Sequence, residues 1–155
     1  MRRALRIYID TSVIGGCLDD EFKEVSLKLI GQIGKGEFRA VISDITELEM
    51  MAAPPAVKEI LKSIPAANID RVELTKEASD LAGEYIKEGV LDKNKVSDAQ
   101  HIAIATVSKV DLVVSWNFRH IVNIRRIAGY SAVNLKAGYP TIDIRSPREV
   151  VTDEE

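Results

Sequence analysis

Three carboxylates and one amide stand where this sequence could do chemistry. Asp10 closes the strand-forming run Arg6-Ile7-Tyr8-Ile9, and Asn117 comes two residues after the end of the run Leu112-Val113-Val114-Ser115. Glu49 and Asp98 fall in segments of helical character whose starts can face the same edge. Ligands of open α/β sheets bind outside the carboxyl ends of the strands, so these positions are the first candidates for a site. An oxygen-only donor set suits a hard ion such as Mg²⁺ or Mn²⁺. Such an ion activates water and neutralises charge on a phosphoryl group. Each residue also has a plain structural reading: Asp10 as a cap for the next turn, Glu49 as a solvated helix charge, Asp98 as an acid favoured at a helix N-terminus, and Asn117 as a turn residue.

The elements that must position these groups follow from the apolar pattern. Arg6–Ile9 is apolar enough on both faces to be a buried parallel strand. Phe22, Val25, Leu29, Ile30 and Ile33 share one helical face, and Gly34 and Gly36 close that helix. Arg39–Ile42 reads as a second strand. Asp44 and Glu47 read as a capping box for a helix through Met51, which Pro54-Pro55 stops. A short helix over Val57–Ile64 and an extended segment over Ile69–Leu74 follow. Thr75 then caps a helix to about Glu88, with Gly89 after it. Asp98–Val107 is a further helix, preceded by the polar stretch Asp92–Ser97. Leu112–Ser115 is a strand, a helix lies near Ile121–Ile127, and Thr141–Ile144 is the last strand. This βαβα alternation predicts an α/β fold with helices packed around a mainly parallel sheet.

Composition narrows the class. The 155 residues carry 21 Lys+Arg against 24 Asp+Glu, a formal charge of −3, so nucleic-acid binding would have to use a local basic patch. Cys17, the single cysteine, excludes an intramolecular disulfide and a Cys-rich zinc site, and it reads as a small buried hydrophobe. No apolar stretch approaches the ~20 residues of a membrane span. Arg6 and Asp10 interrupt what would be the apolar region of a signal peptide, so the expected address is the cytoplasm. There is no Gly-rich phosphate loop and no Gly-x-Ser-x-Gly nucleophile elbow.

Four segments in order resemble the PIN-domain family, especially its VapC-like toxin ribonucleases: Tyr8-Ile9-Asp10-Thr11-Ser12-Val13-Ile14, Ile42-Ser43-Asp44-Ile45-Thr46-Glu47-Leu48-Glu49, Ser97-Asp98-Ala99-Gln100-His101-Ile102-Ala103-Ile104-Ala105, and Leu112-Val113-Val114-Ser115-Trp116-Asn117. The resemblance spans roughly Ile7 to Ile144. It implies a three-layer α/β/α fold with a central mainly parallel sheet, in one nuclease domain over residues 1–146 followed by a tail at 147–155. It also implies a Mg²⁺ or Mn²⁺ site held by Asp10, Glu49 and Asp98. Glu47 is the rival to Glu49, but the spacing from Ile42-Ser43 favours Glu49. Where the family frequently carries a fourth acid, this sequence has Asn117 or His120. The implied activity is metal-dependent hydrolysis of RNA, as the toxin of a toxin–antitoxin pair, with a cognate antitoxin and a second copy of the chain as protein partners. The competing reading is a catalytically weak PIN-like module that binds RNA or protein.

Around this centre, Ser115 and Thr11 are hydroxyls that can orient carboxylates or cap strand ends. Arg119, His120, Arg125 and Arg126 are the candidate RNA-binding residues, with Lys93 and Lys95 on the other side. Trp116 reads as a rim or core anchor or as a stacking surface for a base. His101, three residues beyond Asp98, lies on a neighbouring helix face and reads as a packed or hydrogen-bonded histidine.

Overall fold

The computed structural model describes residues 3–151. Five strands, β1 (Leu5–Ile9), β2 (Phe38–Ser43), β3 (Ile69–Val72), β4 (Leu112–Val114) and β5 (Ile144–Arg145), form one sheet in the order β3-β2-β1-β4-β5. Every pairing is parallel, with Tyr8 opposite Val41 on one side and Val113 on the other. The expected mainly parallel sheet is thus wholly parallel, and all five carboxyl ends lie along one edge. Chain order reverses between β1 and β4, which opens the crevice where such sheets take ligands.

Alternation along the strands sends side chains into two cores. Tyr8, Val41 and Val113 face a cluster built with Leu81, Tyr85, Ile102 and Tyr130. Ile7, Ile9, Ile42 and Val114 face another built with Val13, Leu29, Ile33 and Trp116. Helices therefore cover both faces. They are α1 (Thr11–Gly16), α2 (Lys23–Gly34), α3 (Asp44–Met51), α4 (Pro55–Lys62), α5 (Lys76–Lys87), α6 (Val96–Val107), α7 (Ile124–Lys136) and α8 (Pro147–Val150). Among the described residues no helix is long and apolar enough to cross a membrane.

Several local expectations change. The capping box at α3 belongs to Ser43 and Thr46, not to Asp44 and Glu47. Ser43 leaves β2 still extended, so its hydroxyl reaches the Ile45 and Thr46 N–H groups, while Asp44 is already helical and accepts from Leu74 N–H at 3.0 Å. Glu47 pairs with Arg71 at 2.8 Å. α7 starts three residues later than Ile121 and runs on to Lys136, because Asn123 caps it and Ile121 is folded back onto the Asn117 carbonyl. The last strand falls at Ile144–Arg145 rather than Thr141–Ile144. Pro147–Val150, in the segment read as a tail, forms a helix whose Val150 packs on the Ile33–Trp116 core. The helix α1, of six residues, has no counterpart in the apolar pattern. Gly16 at its end has no room for a Cβ, which would lie 2.6 Å from Ser26 Oγ and 2.9 Å from Trp116 Nε1.

Candidate active site

Asp10 leaves β1 at the crevice and is 5 % exposed. Its two oxygens accept from two serines: Ser12 Oγ at 2.6 Å and Ser115 Oγ at 2.7 Å. Each serine also accepts a backbone N–H from the chain leaving β4, Ser12 from Trp116 at 2.9 Å and Ser115 from Asn117 at 2.9 Å. These four bonds lock the ends of β1 and β4 together around one carboxylate. Burial raises the Asp10 carboxyl above its ordinary range, and neighbouring His101 and the Ser115 and Ser12 hydroxyls pull it partly back.

Glu49 reaches the same place from α3. Burial pushes its carboxyl up, but hydrogen bonding to His101, with further help from Thr11, holds it below the ordinary range. His101 Nε2 lies 2.5 Å from Glu49 Oε1 and Thr11 donates to the same oxygen at 3.1 Å. Asp98 stands in the first turn of α6. Burial raises it, His120 and His101 oppose the rise, and Glu49 adds to it. Asn117 turns its amide N–H toward Asp98 Oδ1 at 3.4 Å and its oxygen toward the His120 backbone N–H at 3.0 Å. In this arrangement Asn117 is a donor to Asp98, and its oxygen faces away from the carboxylates.

The four central candidates therefore come from β1, α3, α6 and the β4 exit to one edge. His120 Nδ1 lies 3.7 Å from Asp98 Oδ2, and Lys95 also acts to lower the Asp98 carboxyl. One buried carboxylate, Asp10, and two half-buried ones, Asp98 and Glu49, all influenced by His101, supply oxygen donors of the kind a divalent cation takes. Among the described residues, however, no three His, Cys, Asp or Glu side chains are gathered as an ion cage; Asp10, Glu49 and Asp98 are bonded instead to serine, histidine and asparagine partners.

Lys95, expected on the other side, instead joins Arg119 and Arg126 around His120. Burial lowers the His120 pKa, Asp98 opposes this, and Lys95, Arg126 and Arg119 depress it further, which puts three cations near the Asp98 mouth. Arg125 and Arg126 line an open cavity of about 510 Å³ with Asn123 and Glu88. Arg126 also donates to the Val90 carbonyl, so part of its guanidinium is committed to the fold. Trp116 is a core anchor: it is 5 % exposed, stacks on Phe22 at 4.2 Å and donates to Ser26 Oγ at 2.8 Å. Cys17 is buried, and burial pushes its thiol up to about 11. His101 is the packed, hydrogen-bonded histidine expected of it, 2 % exposed and bonded to Tyr8 and Glu49, and its contact with Glu49 is what its offset of three from Asp98 does not reveal.

A family model described as the PIN domain matches residues 7–121. Solved structures share the fold at low identity. VapBC2 from Rickettsia felis, bound to a DNA fragment from its promoter, is 11% identical with a TM-score of 0.57, covering 92% of this chain and 98% of that one. A toxin–antitoxin complex from Klebsiella pneumoniae is 14% identical with a TM-score of 0.55, covering 74% and 88%. The Mycobacterium tuberculosis VapC20, described as a Sarcin-Ricin loop cleaving toxin, is 14% identical with a TM-score of 0.54, covering 88% and 98%. No curated protein matches the chain.

Proposed function

The chain belongs to the PIN-domain family, and from that premise we propose that it is a Mg²⁺- or Mn²⁺-dependent endoribonuclease acting as the toxin of a toxin–antitoxin pair. The observation that carries the reading is the shared neighbourhood of the three acids: His101 acts on the Asp10, Glu49 and Asp98 carboxyls alike, and burial raises Asp10 and Asp98. Asp10 and Asp98 would hold the ion directly, and Glu49 would hold it through water or orient the attacking water. When bound, a divalent ion supplies Lewis acidity and a water that loses its proton near neutral pH. Ser12 and Ser115 keep the Asp10 carboxylate at one angle, and the Asn117 amide steadies Asp98. Arg119, His120, Arg125 and Arg126 would take the RNA backbone, a reading supported by the cations grouped around His120.

The similarity to a toxin–antitoxin complex supports a cognate antitoxin as partner. Exposed Leu48 and Met51 on α3, and Ile124 and Leu135 on α7, are apolar groups that an antitoxin or a second copy of the chain would cover. Purified protein should cleave RNA when Mg²⁺ or Mn²⁺ is added and stop when it is chelated, and Asp10→Asn should abolish the cleavage while remaining folded. Cleavage by Asp10→Asn at the wild-type rate overturns the reading. The Asn117 oxygen, turned from the carboxylates, favours the second reading, a binding module that takes RNA without cutting it; RNA binding with no metal-stimulated cleavage would establish that one.

A further inference from the structure

A line of buried polar side chains runs from the end of β2 through β1 and α6 to Glu49. Ser43, Tyr8 and His101 are all buried, so every donor and acceptor among them needs a partner. The Tyr8 hydroxyl lies 2.7 Å from Ser43 Oγ and 2.6 Å from His101 Nδ1, and His101 Nε2 lies 2.5 Å from Glu49 Oε1. The direction of the line is set at its far end. Ser43 Oγ already accepts the Ile45 and Thr46 N–H groups at 3.2 and 3.4 Å, so its one proton is left for the Tyr8 oxygen. The Thr46 hydroxyl, whose oxygen already accepts the Ser43 N–H at 3.5 Å, also bonds the Tyr8 oxygen; with Ser43 and Thr46 both donating to it, Tyr8 gives its single proton to His101 Nδ1. His101 must then carry its own proton on Nε2 and donate it to Glu49.

We propose that Ser43 and Tyr8 fix the tautomer of His101 and that His101 is thereby a positioning residue for Glu49, aiming its carboxylate into the crevice. The inference rests on the nuclease reading for the purpose of that aim, while the proton placement stands on the geometry alone. It also joins local structure to the site. The helix cap that starts α3 is the first link of the line, and Glu49, on that same helix, is the last. An orienting partner on a ligating side chain is worth about 10–100-fold in metal affinity or activity.

Two measurements test it on the full chain. The protein has two histidines, so ¹⁵N-detected imidazole signals of the metal-free protein separate cleanly once His120→Asn assigns them. The expected spectrum has His101 protonated on Nε2 and bare on Nδ1, and Tyr8→Phe should disturb that pattern. In parallel, Mn²⁺ titration followed by electron paramagnetic resonance should show His101→Leu binding about 10–100-fold more weakly. His101→Gln, whose amide can still donate to Glu49, should recover most of the loss. A His101 ring protonated on Nδ1, or on both nitrogens, overturns the proposal, as does a Tyr8→Phe protein with unchanged imidazole signals. Equal Mn²⁺ affinity in the Leu and Gln variants removes the positioning role and leaves a packing one. Should His101→Leu fail to fold, Tyr8→Phe, which deletes one hydroxyl from a retained ring, decides both points. A wild type that binds no Mn²⁺ refutes the nuclease reading instead, and the imidazole signals still decide the proton placement.

Discussion

Replacing Ser115 with alanine removes a single buried hydroxyl that serves two short bonds and a longer one of 3.3 Å to Ser12 Oγ. It donates to Asp10 Oδ2 at 2.7 Å and accepts the Asn117 N–H at 2.9 Å. A hydrogen bond to a charged group is worth about 1.5–3 kcal/mol, and an orphaned buried donor costs about 1–3 kcal/mol. The variant should therefore lose about 3–5 kcal/mol at neutral pH, a fall in Tm of about 6–20 °C for a domain of this size. The cost should depend on pH. Asp10 has a folded-state pKa raised by burial, so the stability it contributes is present at low pH and is lost as pH rises through the carboxylate range. Ser115 softens that loss, and its removal makes the decline steeper. In an Asp10→Asn background the charge is absent, and the same substitution should cost only about 1–3 kcal/mol. Urea unfolding of the four proteins with chelator present, at about pH 4 and about pH 7, measures both couplings. A cost for Ser115→Ala that is identical at both pH values and in both backgrounds would refute the claim that Ser115 holds a buried carboxylate.

Three further outcomes are expected. Asp98→Asn should unfold at a higher temperature than wild type in chelator, and the gain should grow as pH rises through the carboxylate range, because burial penalises the charged form of Asp98; a lower Tm at every pH contradicts this. Millimolar Mn²⁺ should raise the wild-type Tm, by as much as about 2.7 kcal/mol of stabilisation if the ion is at 100 Kd; Asn117→Asp should enlarge the response while weakening the metal-free protein, with a salt of matched ionic strength as control. Replacing Arg119, Arg125 and Arg126 together should flatten the salt dependence of binding to an uncleavable RNA; unchanged affinity and slope would place the RNA on another surface.

What could be read from the sequence was the frame. Ile7-Tyr8-Ile9 and Leu112-Val113-Val114 are apolar on both faces because helices cover both sides of the sheet, and that pattern placed Asp10 and Ser115 at strand exits. Side-chain hydrogen bonding carries no such periodicity. Ser43 and Asp44 are both good caps, and only the extended backbone at Ser43 decides between them. Six-residue α1, ending in Gly15-Gly16, is too short to show an apolar face. The roles of Ser12 and His101 depend on partners more than fifty residues away in sequence: Trp116 and Ser115 for one, Tyr8 and Glu49 for the other. No local spacing records those pairings. The orientation of Asn117 was hidden for a related reason: its oxygen is claimed by the backbone of His120, a contact made by the turn that follows β4.

The central claim is that Asp10 and Asp98 act as one metal-dependent centre for cutting RNA. Single-turnover cleavage of one RNA at saturating Mn²⁺, by wild type, Asp10→Asn, Asp98→Asn and the double variant, tests it most directly. Residues that work as a unit lose nearly everything at the first substitution. The account predicts that each single variant is as inactive as the double. Partial activities in the single variants that multiply to give the activity of the double would contradict it.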